Sequence, residues 1–312
     1  MQSFFLCRLP FSDTISRHEL TSSTPEELSF GEITVHPWPG LKFDGKMEVC
    51  PESTPETVYK SDIKSLVAER RANGGKTVIC RQICGTFGRF EPEAMAREYF
   101  ALFPEMFCFL FCHPLAGCWM GASPELLLTA KAGAGHAETR ALAGTRKRSE
   151  GGEWSAKNLA EHRMVTDDMC RRIEELTLEP RLGQQYNFAY GNIEHLCTPI
   201  EIRGDLDGVS LHRLIRAIHP TPAVGGYPRE KALSDIDAIE HWPRNCYGGH
   251  ISVRHGSETI VYIALRCVHF DAVKWAVYTG SGITPDSDAA DEWLETETKA
   301  APLISILSHY SF

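Results

Sequence analysis

The chain has 312 residues, 43% hydrophobic, 23% charged and 10% aromatic, and its 41 acidic against 32 basic side chains give a formal net charge of −9 and a pI near 5.8. That profile describes an ordinary globular protein, long enough for one or two domains. The acidic balance, with no clustered basic stripe, excludes a backbone-phosphate reader of DNA or RNA and a binder of anionic membrane. No run reaches the ~18 apolar residues of a transmembrane helix. The nearest, residues 106–114 (MFCFLFCHP), is strand-length and bracketed by prolines. The amino-terminal patch MQSFFLCRLPFSDT has no basic residues ahead of it, so no signal peptide is expected. Eleven cysteines, an odd number without CxxC spacing, predict reduced thiols and a cytoplasmic protein. Cys80 with Cys84, and Cys108 with Cys112, lie in β-rich runs and read as small buried hydrophobes rather than metal pairs.

Residues 1–55 are rich in Ser, Thr, Pro and Glu and hold one strand-like stretch, 32–37. After Pro55, Val58, Ile63, Leu66 and Val67 lead to Gly74-Gly75, which predicts a helix with clear start and stop signals. KTVICRQI from Lys76 reads as a strand, 91–102 as a helix, MFCFLFC as a strand, and 119–129 as hairpin-like strands. Over 156–176, Leu159, Met164, Val165, Met169, Ile173 and Leu176 fall at helical spacing and predict a long amphipathic helix. Residues 187–200 mix strand and loop, 210–218 form a short helix, and HPTPAVGGYP is a Pro/Gly loop. Two long strands, 259–270 and 272–279, joined at an Asp-Ala turn, precede a last helix over 288–307. Strands and helices are interspersed without strict βαβ alternation, so the class is α+β, and no repeat or linker divides the single domain 1–312.

Gly74-Gly75-Lys76-Thr77 looks like the end of a P-loop. However, Arg70 stands where that motif needs its first glycine, and the helix-then-strand order is reversed. By pattern alone Lys76 reads as a solvated edge residue. Glu292, Glu295 and Lys299, spaced i, i+3, i+7, share one helix face: either a surface ion pair or carboxylates for a hard cation, since Mg²⁺ takes one or two carboxylates together with water and a substrate anion. Glu161 on the long helix is a candidate partner carboxylate, or a solvated one. Gly280-Ser281-Gly282, between a strand and a helix, is either a tight turn or a backbone anion site. Arg266, inside the apolar run VYIALRCV, needs an anionic partner, structural or from a ligand.

The order of these features carries more than any one of them. KTVICRQI, GASPELLL (121–128), LAGTRKR (from Leu142), KNLAEHRMV (around Glu161), IEHLCTP (around His195), HPTPAVGGYPR, NCYGG (around Tyr247), IALRC and GSGITPDSDAADEWLETETKA (280–300) together resemble the chorismate-utilising family, and within it the isochorismate synthases. The resemblance covers a core over 56–312 and leaves 1–55 as a variable part. It implies two antiparallel β-sheets packed face to face with helices outside and the active site between them.

The resemblance also implies roles. Glu161 and Glu295, with Glu292 beside them, would hold an essential Mg²⁺ at the ring carboxylate of chorismate, bordered by Gly144 and Thr145. Tyr247, Arg266 and the Gly280 backbone would bind the enolpyruvyl carboxylate, Lys299 would add positive charge, and His195 and Ala223 would be further substrate-binding positions. Lys76 would be the general base that activates water for addition at ring C2, and Glu125 the general acid for the departing C4 hydroxyl. Such a pair needs a neutral amine and a protonated carboxyl, and desolvation moves a lysine and a glutamate those ways. Ala143 stands where aminodeoxychorismate synthases carry a nucleophilic lysine, which disfavours that activity. The HPTPAVGG loop separates the chain from salicylate synthases, which share the base lysine and go on to eliminate pyruvate. Salicylate synthesis and a non-catalytic chorismate binder remain the alternatives. The expected partner is chorismate alone, with no nucleic acid, membrane or glutaminase subunit, in a monomer; the pathway served (menaquinone, siderophore or salicylate) stays open.

Overall fold

The computed structural model describes residues 3–148, 151–190, 193–206 and 209–311, without the side chains of Thr145, Lys147, Lys157, Tyr190 and Ile193. In chain order it runs β1 (Phe4–Arg8), β2 (Ser16–Glu19), β3 (Ser22–Ser23), β4 (Leu28–Phe30), β5 (Ile33–His36), α1 (Glu56–Asn73), β6 (Lys76–Thr86), α2 (Pro92–Ala101), β7 (Phe107–His113), β8 (Gly117–Ser123), β9 (Leu126–Lys131) and β10 (His136–Lys147). It continues through α3 (Ala156–Glu174), β11 (Glu179–Leu182), β12 (Tyr186–Tyr190), β13 (Ile193–Arg203), α4 (Leu211–Ile218), β14 (Gly226–Tyr227), α5 (Arg229–Ile239), β15 (His250–His255), β16 (Glu258–Ile263), β17 (Cys267–Phe270), β18 (Lys274–Ile283) and α6 (Ala289–Ser308).

The strands form two antiparallel sheets. One is eight-stranded, in the order β14-β6-β18-β17-β8-β7-β1-β2; the other is ten-stranded, in the order β11-β13-β10-β9-β16-β15-β5-β4-β3, with β12 added on β13. Strand β7 shows why they stack. All seven of its residues are buried, so its sequence cannot alternate. Phe107, Phe109 and Phe111 enter the core between the sheets with Phe5, Phe30, Trp119 and Tyr262. Cys108, Leu110 and Cys112 point the other way, beneath Met95, Tyr99, Leu303 and Leu307 of α2 and α6. A further core gathers Ile63 and Leu66 of α1, Met169 and Ile173 of α3, Leu214 of α4 and Ile236 of α5 around Ile79, Ala141 and Ile200. The arrangement is the α+β double sheet expected, and residues 1–55 add β1 and β2 to one sheet and β3–β5 to the other.

Helix ends obey local chemistry. α1 starts after Pro55 and stops at Gly74 in the left-handed region. Ser155 caps α3 by accepting from the Asn158 N–H, and Asp288 caps α6 by accepting from those of Ala290 and Asp291. Among the described residues no helix is long and apolar enough to cross a membrane.

Three expectations need correction, and one helix was missed. The single strand over 259–270 is two strands in different sheets, β16 and β17, with Arg266 at φ +47° between them. Its apolar run looked continuous because both halves are buried. Gly280-Ser281-Gly282 is no turn: it lies within β18, paired with Cys80, Ile79 and Val78 of β6. Cys112 and Cys118, directly opposite each other on β7 and β8, form a disulfide, while the other nine cysteines are free thiols. Helix α5 was not predicted at all, since it buries only Ala232, Asp235 and Ile236 and so shows no clear apolar stripe.

Candidate active site

A cavity of about 330 Å³, at the small end of small-molecule sites, is lined from both sheets and from α3 and α6. Lys76, Glu125, Gly144, Glu161, His195 and Ala223 line it, as do Tyr247, Arg266, Gly280, Glu292, Glu295 and Lys299. The Thr145 side chain lies outside the described residues, although its backbone pairs with His195.

Glycines make room for the chemistry. The Lys76 side chain occupies the space beside Gly282, where an added Cβ would stand 2.6 Å from Lys76 Cε. Its Nζ donates to Glu161 Oε1 at 2.7 Å, joining the start of β6 to α3. Gly144, at φ +73°, sits at a register shift between Ala143 and Thr145 in β10. This bulge brings the backbone against Asn158 of α3, whose Cβ would lie 3.2 Å from a Cβ added at the glycine. Arg266 reaches the cavity because the chain changes sheets there; its carbonyl accepts from the Tyr99 hydroxyl at 3.0 Å.

Helix α6 presents the acidic face read from the sequence. Lys299 Nζ donates to Glu295 Oε1 at 2.7 Å and to the Gly280 carbonyl at 3.0 Å. The buried Arg81 fixes the helix: its Nε donates to Thr296 Oγ1 at 2.8 Å, its guanidinium lies 3.6 Å from the Trp293 ring centroid, and it pairs with Glu297.

Burial pushes the Glu125 carboxyl above its ordinary range, opposed by a hydrogen bond from Thr221 and by the charges of Arg140, Lys76 and Lys299. A raised carboxyl is what a proton donor near neutral pH requires. Burial also holds the Tyr247 phenol far above its usual value, so it is a hydrogen-bond donor. His195 is pushed down to about 4, chiefly by burial; a backbone hydrogen bond to Gly144 opposes this, and the Lys299, Arg266 and Lys76 charges add to it. A neutral histidine beside the Lys299 and Arg266 cations makes a field suited to an anionic ligand. Glu292 is raised, first by burial and then by the negative charge of Glu295, against hydrogen bonds from Ser287 and Ser281. These carboxylates fit a small hard cation. The donors are all oxygen, and a cation would relieve the Glu292–Glu295 repulsion.

The neutral histidines have a consequence for stability. His219 is pushed down to about 3 by burial and by the Arg229 charge, as His195 is to about 4. Both lie below the unfolded value of 6.5, so their contribution is fully present above pH 6.5 and is lost as pH falls from there through 4 toward 3. The thermal midpoint is expected to fall over that window, and less steeply in His219→Gln. Equal slopes would mean that His219 is not held neutral.

Sequence reasoning missed Thr221, whose Oγ1 lies 3.3 Å from Glu125 Oε1, and Tyr59, whose hydroxyl is 3.0 Å from Ser281 Oγ beside Glu292. It also missed the buried pair Glu240–Arg244, with Arg244 Nη1 donating to the Val224 carbonyl at 3.0 Å. The Thr221 and Tyr59 contacts and the bond from Arg244 to Val224 couple segments apart in sequence, which no local pattern signals, whereas Glu240 and Arg244 themselves are only four residues apart.

The description "Chorismate binding enzyme" fits residues 42–308. The chain is 32% identical over 257 residues to a salicylate biosynthesis isochorismate synthase of Pseudomonas aeruginosa, covering 77% of this chain and 52% of that protein. It is 26% identical over 312 residues to the isochorismate synthase MenF of Escherichia coli K12, covering 95% of this chain and 70% of the other. It spans about half the length of several curated relatives it matches. A solved structure of MenF, the menaquinone-specific isochorismate synthase from Escherichia coli, shares the fold with a TM-score of 0.80 at 19% identity, over 98% of this chain and 89% of that one. With the family description matched over residues 42–308, this chain belongs to the chorismate-binding enzyme family.

Proposed function

We propose that the protein is an isochorismate synthase, converting chorismate reversibly to isochorismate. The observation that carries this reading is that Lys76 from one sheet and Glu125 beside the other line a single cavity with Arg266, Lys299 and the carboxylates of α3 and α6. Lys76 takes a proton from a water that adds at ring C2, and Glu125 gives a proton to the C4 hydroxyl, which leaves as water while the ring double bonds shift. One water enters and one leaves, so atoms and electrons balance. The Tyr247 hydroxyl, Arg266 and Lys299 receive the enolpyruvyl carboxylate. Glu161 and Glu295, with Glu292 beside them, would hold a Mg²⁺ ion that supplies positive charge for the ring carboxylate.

The test is incubation of the purified protein with chorismate and Mg²⁺, with and without EDTA, followed by chromatography. Isochorismate formed reversibly and only with metal is the expected result. Salicylate plus pyruvate would move the activity to the lyase alternative, and unchanged chorismate with measurable binding would make the protein a non-catalytic binder. Glu161→Gln and Glu295→Gln are each expected to abolish metal-dependent turnover with little change in the melt; a cooperative loss of fold would mark these residues as structural ion-pair partners instead.

A further inference from the structure

Glu125 does not stand alone in the cavity wall. Thr221, 4% exposed, sits between Pro220 and Pro222 in the segment linking α4 to β14. That segment is tied down along its length. The Thr221 carbonyl accepts from the N–H groups of Val224 and Gly225 at 3.0 and 2.8 Å. The Gly225 carbonyl accepts from the Val78 N–H of β6 at 3.0 Å, Arg244 holds the Val224 carbonyl, and Arg229 holds that of His219. The Thr221 hydroxyl is therefore held in place, and it donates to Glu125 Oε1 at 3.3 Å. A buried hydroxyl leaves its proton unsatisfied unless it donates, and among the described contacts Oε1 is its acceptor.

From this geometry we infer that Thr221 is a positioning residue for the proton donor: by occupying Oε1 it directs the transferable proton of Glu125 to Oε2 and stabilises the carboxylate left after transfer. The inference rests on the reading of Glu125 as general acid. The hydrogen bond also pulls the carboxyl down against the effect of burial, alongside the charges of Arg140 on β10, Lys76 on β6 and Lys299 on α6. Removing it leaves burial less opposed, so the carboxyl rises and stays protonated to higher pH.

The test compares the full chain with Thr221→Val, which keeps the shape and deletes the donor, and Thr221→Ser, which restores the donor. The wild type is assayed first for isochorismate; failure to turn over chorismate defeats the functional reading itself and the Thr221 role with it. With an active wild type, Thr221→Val is expected to lower kcat by about tenfold or more, within the ~10²–10⁴-fold a general acid supplies, with KM nearly constant and the alkaline limb of the kcat profile moved upward. Thr221→Ser is expected to recover most of that loss. In a Glu125→Gln background Thr221→Val should add no further loss. Infrared titration of the carboxyl band lost in Glu125→Gln should show it shifted to higher pH in Thr221→Val, a readout independent of turnover. Wild-type kcat in Thr221→Val, or an equal fall in the Val and Ser variants with a lowered melt, would overturn the inference, the latter by marking Thr221 as loop packing.

Discussion

Replacing Lys76 by methionine is expected to lower kcat for chorismate conversion by about 10²–10⁴-fold, the contribution of a positioned general base, while KM and the melt change little. Methionine keeps an unbranched stem for the space beside Gly282 and deletes only the amine. Glu161 loses its 2.7 Å partner, but it is partly open to solvent, so the stability loss should stay near ~1 kcal/mol. Initial-rate kinetics with a thermal melt check both halves. Wild-type turnover in this variant would leave the water without its base and sink the proposed mechanism.

The largest effect on stability is expected at Arg244→Met, at roughly 3–5 kcal/mol, the range found when one partner of a buried ion pair is removed. The Arg244 and Glu240 side chains are 1% and 4% exposed and meet at 2.5 Å. Arg244 also donates to the carbonyls of Val78 at 2.7 Å and Val224 at 3.0 Å and lies 4.3 Å from the Trp38 ring centroid. Glu240 in turn accepts from the Cys80 N–H at 2.8 Å. The variant strands a carboxylate among β6, the loop and α5 with little water to receive it. Urea unfolding measures the loss. A change below about 1 kcal/mol would show that Glu240 finds another partner or takes up a proton.

Elements whose signal is local were readable. α1 announced itself by Pro55, four apolar positions and Gly74, and α3 by its apolar stripe. The split of 259–270 was not readable, because periodicity reports that residues are buried and not which sheet buries them. That split is what delivers Arg266 to the cavity. Residue spacing alone left Glu292, Glu295 and Lys299 as a possible surface pair, and Lys76 as an edge lysine. The family resemblance singled them out, and the fold then brought them into one cavity.

The sequence by itself determined every helix but α5, most of the apolar strands, the acidic face of α6 and the family, because each is written in neighbouring residues or in the order of motifs. Only the tertiary structure decided that Lys76 meets Glu161, that Thr221 meets Glu125, that Arg244 and Glu240 brace the loop, and that Cys112 is bonded to Cys118. Three of these join side chains 85 and 96 residues apart, or tie a buried pair to strands elsewhere in the chain, and even the hairpin disulfide depends on strand register. Chain connectivity carries no record of such proximity. It comes from stacking two sheets whose inner faces are both apolar, which closes the cavity and desolvates the groups along its walls.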